Sequence, residues 1–399
     1  MPAAHLPCAN AKACAALVPA CIASLLCACT PAFDRQAGPD APLAPPTAFH
    51  LYVASTGDDN NAGSESAPFL TISRAAQAAL PDTTIHVAPG DYPGGIRTTV
   101  SGTEKSRVYF ISTTPGGARI VPPAKSLGAT AWDNRGSYVD IVGFEVDGRA
   151  YRSGQRWING IYSAGSFDSL RHNVVHHIAN GAPCGNQEGA AITMESYFRG
   201  VQGEVIGNKI YDVGELGCPA VQGIAINTSA LVANNLVFRS GNAGIYLWHD
   251  ANHVRVVNNT VTGSTIGILV GGGNFYLTVG PNDYSDISNN IVFDNNTGVI
   301  ELGATGKHNT YRNNLVFGNP SGDWALAPGQ QALATVAADP RFSAYQRTIL
   351  PDFSLAAGSP AIGKGDPAHS HPVDFNGTRR DKAAGIDLGA LQHQRDSAL

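Results

Sequence analysis

Asn173-Val-Val-His, Asn208-Lys-Ile-Tyr, Asn235-Leu-Val-Phe, Asn259-Thr-Val-Thr, Asn290-Ile-Val-Phe and Asn314-Leu-Val-Phe repeat one phrase: Asn, any residue, Val or Ile, often an aromatic. The asparagines step by 35, 27, 24, 31 and 24 residues. A second phrase answers the first, a Gly opening an apolar run: Gly189-Ala-Ala-Ile, Gly223-Ile-Ala-Ile, Gly244-Ile-Tyr-Leu, Gly267-Ile-Leu-Val and Gly298-Val-Ile-Glu. Short strands returning every ~20–30 residues indicate a solenoid. Its turns must stack, because none can bury its apolar face alone. The predicted fold is all-β, a parallel β-helix. Val175, Ile210, Val237, Val261, Val292 and Val316 form a β-branched column expected to point inward, with their strand neighbours pointing out. The recurrent Asn is expected at a bend, bonded to the Asn above and below and holding unusual backbone angles. The doubled Asn at 234–235, 258–259, 289–290 and 313–314 supports that placement.

Composition agrees. The 399 residues are 43% hydrophobic and 14% charged, with 45 Gly and only 2 Met, which suits a Gly- and Asn-turned β-protein. A net charge of −5 without basic runs argues against nucleic acid as a partner. It does not exclude an acidic polymer, which a local basic groove can hold.

Residues 13–28 are apolar and small, too short a run to span a bilayer comfortably, and read as a leader to be left out of the fold. The run ends Leu26-Cys27-Ala28-Cys29, which resembles a bacterial lipoprotein signal; residues 1–29 are then the signal and Cys29 the lipidated residue. Thr30 in place of Asp after that Cys implies the outer membrane, reached through the lipid anchor alone. Five prolines between residues 30 and 48 make a linker, and residues 49–399 are read as one domain, a monomer, with core repeats over about 138–318 and a strip over 319–399. Five of the seven Cys lie at or before residue 29; the other two, Cys184 and Cys218, each sit five residues before their Gly. Equal places in stacked strands, about 4.8 Å apart, match what a disulfide requires. A Cys184–Cys218 bridge is therefore expected, in an oxidising compartment.

In chain order, Phe49 to Ala54 reads as a strand and Asp58-Asp59-Asn60-Asn61 as a turn. Thr71 reads as the N-cap of a short helix over Ile72 to Leu80, ended by Pro81. The order Tyr52-Val-Ala…Gly57-Asp-Asp, Pro68-Phe…Thr71-Ile…Ala75, then Ile85-His-Val-Ala-Pro-Gly-Asp-Tyr, resembles the opening of extracellular right-handed β-helix proteins of the pectate lyase-like, chondroitinase-like and alginate lyase-like group. Tyr138-Val-Asp-Ile-Val-Gly-Phe-Glu-Val-Asp-Gly and a tail with Asp339-Pro-Arg-Phe and Gly385-Ile-Asp-Leu-Gly-Ala are also typical of it. The resemblance implies a right-handed helix, a capping N-terminal helix, a loop-rich C-terminal strip and a polysaccharide partner. It leaves the reaction open, since this fold carries lyases, hydrolases, epimerases and binders.

Long loops shape the binding face of a solenoid. Those before Gly189 and Gly223 run 16 and 15 residues from their Asn, against 9, 8 and 8 later. Titratable residues gather in the same turns. β-Elimination of an acidic glycan, the leading expectation, needs a cation on the uronate carboxylate, a base and a proton donor. Lyases of the resembled group use Lys or Arg as base. Lys209 is then the candidate base, Arg239 or Arg171 the neutraliser, and His177, Asp212 and His249 further acid–base groups. Tyr211, Tyr246, Trp248, His176 and Glu188 are candidates for holding sugar, with Gly271-Gly-Gly as open ground beside Trp248. A hydrolase needs two carboxylates, and Glu195 pairs with Asp250 (each six residues after its Gly) or with Glu188. No metal ligands are assigned. The acidic cluster of pectate lyase-like calcium sites is not evident, and Ca²⁺ stays open as a cofactor. A non-catalytic glycan-binding lipoprotein is the remaining alternative.

Overall fold

The computed structural model describes residues 47–185 and 188–394. The leader, Cys29 and the Pro-rich stretch as far as residue 46 lie outside the described residues. Three parallel sheets of 11, 9 and 9 strands form the body, one strand of each per coil, as a right-handed parallel β-helix. Gly203–Ile206 in sheet 1, Lys209–Val213 in sheet 2 and Val221–Ile226 in sheet 3 make one coil. Ala230–Ala233, Leu236–Ser240 and Ala243–Leu247 make the next. Sheet 1 runs from Phe49–Val53 to Ala332–Leu333, so the stack begins well before residue 138. The early coils lack the Asn phrase and escape a reading based on it.

The β-branched column points inward as expected. Val175, Ile210, Val237, Val261 and Val292 are fully buried, Val316 nearly so, and each pairs with the next. The six asparagines form a continuous buried ladder. Each side-chain amide donates to the carbonyl oxygen of the next Asn, at 3.1, 3.0, 2.9, 3.0 and 3.0 Å. The same oxygen accepts the backbone N–H of the Asn before it. A buried amide is tolerated because these bonds satisfy it. The left-handed backbone falls one residue earlier than expected. His172, Asn234, Asn258, Asn289 and Asn313 have φ of 54°, 55°, 55°, 59° and 50°. Asn is one of the few side chains that accepts this region.

The doubled asparagines therefore divide their work. The second joins the ladder, and the first faces out and holds the C-terminal strip. Asn313 Nδ2 donates to the Lys364 carbonyl at 2.9 Å and Asn289 Nδ2 to the Asp366 carbonyl at 2.9 Å. Asn258 Oδ1 accepts from His371 N at 3.0 Å, and Asn234 Nδ2 donates to the Val373 carbonyl at 2.7 Å. Residues 364–373 thus run back along the stack. The buried Arg380 guanidinium closes the clasp on Asn234 Oδ1 and on the carbonyls of Asp387, Gly389 and Ala390. Earlier in the tail, Phe353 covers Phe238, with ring centroids 5.4 Å apart, and Tyr345 covers Phe293 at 5.3 Å.

At the other end, the helix Ile72–Ala78 has Thr71 as N-cap and buries Ile72, Ala75 and Ala76 against the first coils. Asp58 to Asn61 is a turn, closed by the Asn61 N–H on the Asp58 carbonyl at 2.9 Å, and Asp59 accepts the backbone N–H groups of Leu70 and Thr71. One register expectation fails. Gly189 pairs with Val221, not Gly223, because Ile192 aligns with Ile224. Gly223, Gly244, Gly267 and Gly298 share a column, and Ala191 stands in it one coil earlier. The Cys184–Cys218 disulfide forms nonetheless, with Cα atoms 5.2 Å apart.

Candidate active site

The structure divides the cluster drawn from the sequence among all three sheets. Arg171 is on sheet 1, where its guanidinium is paired with buried Asp140 at 2.5 Å, so it does not neutralise a substrate carboxylate. Sheet 2 carries His176, Lys209, Tyr211, Asp212 and Arg239, and His177 follows its strand. His176 is fully buried and stacked on half-buried Tyr211 at 4.7 Å, and Tyr211 on buried Phe238 at 5.1 Å, a ladder on the outer face of sheet 2. Arg239 donates to Asp212 at 3.0 Å and to the carbonyls of Arg347 and Ile349. Its fork fastens the strip and is not free for a uronate. Asp212 and Arg239 line a cleft of about 450 Å³ beside Arg347. Burial, then the charge of Arg239, hold the Lys209 ammonium below its ordinary pKa.

A separate cleft of about 360 Å³ opens on sheet 3, and it gathers Glu188, Glu195, Tyr246 and His249. Its shape follows from the register. Tyr162, Thr193, Ala225 and Tyr246 occupy one outward row in four successive coils. Two small residues thus form a floor between two tyrosines, whose backbones are three coil steps, roughly 14 Å, apart. Glu195 extends from the next row, beside Asn227. Glu188 stands exposed at the end of the loop that carries Cys184.

The polar groups are ordered. Glu195 Oε1 accepts the backbone N–H of Ser196 at 2.9 Å and of Tyr197 at 3.0 Å, and Oε2 accepts the Asn227 amide at 3.0 Å. Burial, then the charge of the same carboxylate, raises the pKa of the Tyr162 hydroxyl. His249 Nδ1 lies 2.9 Å from the Asn274 carbonyl and therefore carries a proton. Its Nε2 is 2.9 Å from the Tyr276 hydroxyl and 3.5 Å from Glu188. Burial alone would lower the His249 pKa. The Glu188 hydrogen bond, the Asn274 carbonyl and the charges of Glu188 and Glu195 outweigh it, and the pKa is raised. The His249 bond in turn lowers that of Glu188. Burial, with the charges of Glu195 and Glu188, pushes Tyr276 up to about 12. Tyr162 and Tyr246 are raised by burial as well, so all three phenols remain proton donors. Thr193 Oγ1 and Asn227 Oδ1 are buried on the cleft wall without a hydrogen-bond partner. Such orphaned groups are costly unless a ligand or water meets them. Among the described residues that line the cleft there is no Lys or Arg.

Two further expectations change. Asp250 does not align with Glu195, and its carboxylate is not free. It accepts the backbone N–H groups of Tyr276, Leu277 and Thr278 and the hydroxyls of Thr278 and Ser196. It ties together the loops on either side of the cleft. The run Gly271-Gly-Gly is not open ground either. The Trp248 indole fills it, so closely that a Cβ on Gly271 would come within 2.4 Å of the ring. Trp248 stacks beside Tyr246 at 5.6 Å as a supporting wall.

A family model described as a protein of unknown function, DUF1565, matches residues 55–99. No curated protein sequence matches the chain. Among solved structures, the pectate lyase Pel9A is similar with a TM-score of 0.58 at 20% identity, over 87% of this chain and 97% of that one. A structure titled glycoside hydrolase reaches 0.52 at 9% identity, over 72% and 97%. The A-module of the Azotobacter vinelandii mannuronan C-5 epimerase AlgE4 reaches 0.50 at 14%, over 71% and 76%. The fold is that of the pectate lyase-like parallel β-helices. Likeness at these identities is a likeness of fold, and within such a β-helix the reaction has to be read from the cleft.

The sequence reading missed Tyr162, Asn227 and Tyr276 as members of the site. Tyr162 left a usable signal, because Gly160-Ile-Tyr repeats Gly244-Ile-Tyr. Tyr276 left none, since its loop carries no repeat and is positioned by Asp250.

Proposed function

We propose that this pectate lyase-like β-helix hydrolyses glycosidic bonds of a polysaccharide in the sheet 3 cleft. The observation that carries the proposal is the pairing of Glu195, a carboxylate oriented by three N–H donors, with His249, an imidazole whose raised pKa favours the protonated form. Glu195 takes the proton of a water that attacks the sugar carbon, or attacks that carbon itself and is released when water hydrolyses the bond so formed. His249, backed by Glu188 and Tyr276, gives its proton to the leaving oxygen. Tyr162 and Tyr246 offer ring faces and hydroxyls to the sugar, and Asn227 and Thr193 offer unpaired polar atoms. The β-elimination expected from the sequence is less well supplied here. A cation must meet the uronate carboxylate, and among the described residues that line the cleft there is no Lys or Arg. The absence of lining cations together with two glutamates favours a glycan without carboxylates. The Cys184–Cys218 disulfide supports placing the enzyme outside the cytoplasm, with Cys29 as its lipid anchor.

The test is incubation of the full chain with neutral and acidic polysaccharides, following reducing ends and ultraviolet absorbance together. New reducing ends without absorbance, lost in Glu195→Gln and His249→Gln, are expected. An absorbance rise from unsaturated product would return the assignment to elimination. Retention of a glycan without any turnover would make the cleft a binding site.

A further inference from the structure

A second cluster lies outside the cleft, where sheet 2 turns into the loop that carries Cys184. Asp147 and His176 are partners in register in adjacent coils, and His177 follows with a φ of 55°. Neighbouring strand residues normally point to opposite faces. The left-handed backbone at His177 instead brings both imidazoles to one side. Their Nδ1 atoms face each other at 2.7 Å, and Asp147 Oδ1 is 3.6 Å from His176 Nδ1. One ligand atom from each of the three residues fits within 4.8 Å. Behind the rings, each Nε2 faces a carboxylate: His176 that of Glu145 at 2.9 Å, His177 that of Asp212 at 3.8 Å. A carboxylate behind a histidine holds its proton on the far nitrogen and leaves the near one as a lone pair, the arrangement that supports metal-bound histidine.

We propose that Asp147, His176 and His177 bind a zinc-class divalent ion, independently of the reaction in the cleft. Two imidazoles with one carboxylate select zinc, copper or nickel over calcium. Atoms bound to such an ion at about 2.0–2.2 Å lie roughly 3–3.6 Å from one another; the observed 2.7 and 3.6 Å lie near that range, and His177 and Asp147, farther apart but within the 4.8 Å that encloses the three, would close on the ion. The competing cation is Arg149, which is bidentate on Asp147 but 55% exposed. A bridge to so exposed a partner is worth little, and the guanidinium can turn to solvent. Of the other nearby cations, Arg119 is paired with Asp91 and Arg239 is held by Asp212 and the strip. The ion would bind the coil at 145–147 to the coil at 174–177, at the root of the loop that ends in Glu188.

The experiment uses the full chain with its free thiols alkylated, so that the leader cysteines cannot bind metal, freed of metal by chelator. It is titrated with ZnCl₂ by calorimetry and melted with and without zinc. One ion per chain at this site is expected, with a melting temperature that climbs as free zinc rises. His177 is partly exposed, and His177→Ala is expected to melt like the parent in chelator but to bind zinc at least tenfold more weakly. Glu145→Gln is expected to weaken binding by about 10–100-fold through the orienting bond. Absence of uptake, or a zinc-dependent rise in melting temperature unchanged in His177→Ala, overturns the proposal. If His177→Ala melts lower in chelator, that zinc-dependent rise is still the quantity compared.

Discussion

The Nε2 of His249 and the hydroxyl of Tyr276 are 2.9 Å apart, and their rings stack with centroids at 4.1 Å. Nδ1 is already committed to the Asn274 carbonyl. When the ring is protonated, Nε2–H therefore has two acceptors in reach, Tyr276 and Glu188. That arrangement favours the charged form.

A pH profile follows from it. His249 has a raised pKa, so its interactions with Glu188 stabilise the fold fully below about 6.5, its ordinary value. That contribution is lost as pH rises through the higher folded value. As the acid in hydrolysis, His249 is expected to give an alkaline limb over the same range. Glu188, whose pKa is lowered, contributes above its ordinary value and loses that contribution as pH falls through the folded one. Titration of the His249 ring by NMR, beside a pH–rate profile, checks this. In Glu188→Gln both the ring titration and the alkaline limb are expected to move to lower pH.

Asp250 is expected to act as a latch. Its pKa is lowered: burial raises it, but bonds from Thr278, Ser196 and the loop amides outweigh burial. The latch holds above the ordinary Asp value and releases as pH falls through the lower folded one. In Asp250→Ala, hydrogen exchange at the amides of Tyr276, Leu277 and Thr278 is expected to quicken by at least tenfold. The His249 titration is expected to shift as Tyr276 is released.

The two asparagines of a doubled pair are expected to differ in cost. Asn235→Ala strips buried partners from Asn208, Asn259 and the Val205 carbonyl. Unsatisfied buried groups cost about 1–3 kcal/mol each, so a loss of about 3 kcal/mol or more is expected. Asn313→Ala removes one exposed bond to the strip, for about 1 kcal/mol. Denaturant midpoints of the two variants give the comparison.

Removing the disulfide is expected to act on both stability and the cleft. Cys184 and Cys218 are 34 residues apart, a span for which chain entropy predicts a loss of roughly 3–4 kcal/mol. Cys184→Ser with Cys218→Ser is expected to melt lower and to raise KM, because the freed loop carries Glu188. Equal KM in the two forms would show that the loop does not shape the site.

The fold was legible because one side chain, the ladder Asn, carries its signature in every late coil. The site was not, for reasons visible in particular residues. Strand alternation marks Lys209 and Tyr246 both as outward, but it does not say that one faces from sheet 2 and the other from sheet 3. The place of Glu195 depends on Ala191 standing where a Gly was expected. Arg239 looks free in the sequence because the carbonyls that hold it, at Arg347 and Ile349, lie more than a hundred residues away. Asp250 looks catalytic until the loop around Tyr276 closes on it.

The outward asparagines make the C-terminal strip a gauge of coil number. Lys364, Asp366, His371 and Val373 meet Asn313, Asn289, Asn258 and Asn234, one coil each. A solenoid can in general lengthen by duplicating a coil, since each coil needs only its neighbours. Here a coil inserted between Asn258 and Asn289 would put the strip out of step with half of its anchors. Growth of the stack at that point would require a matching insertion in the tail, which ties the evolution of two segments about a hundred residues apart. In the two coils before Asn234 the corresponding places are held by Gly207 and His172, and the long loops that border the cleft lie there, where a change of length would leave these four anchors in step.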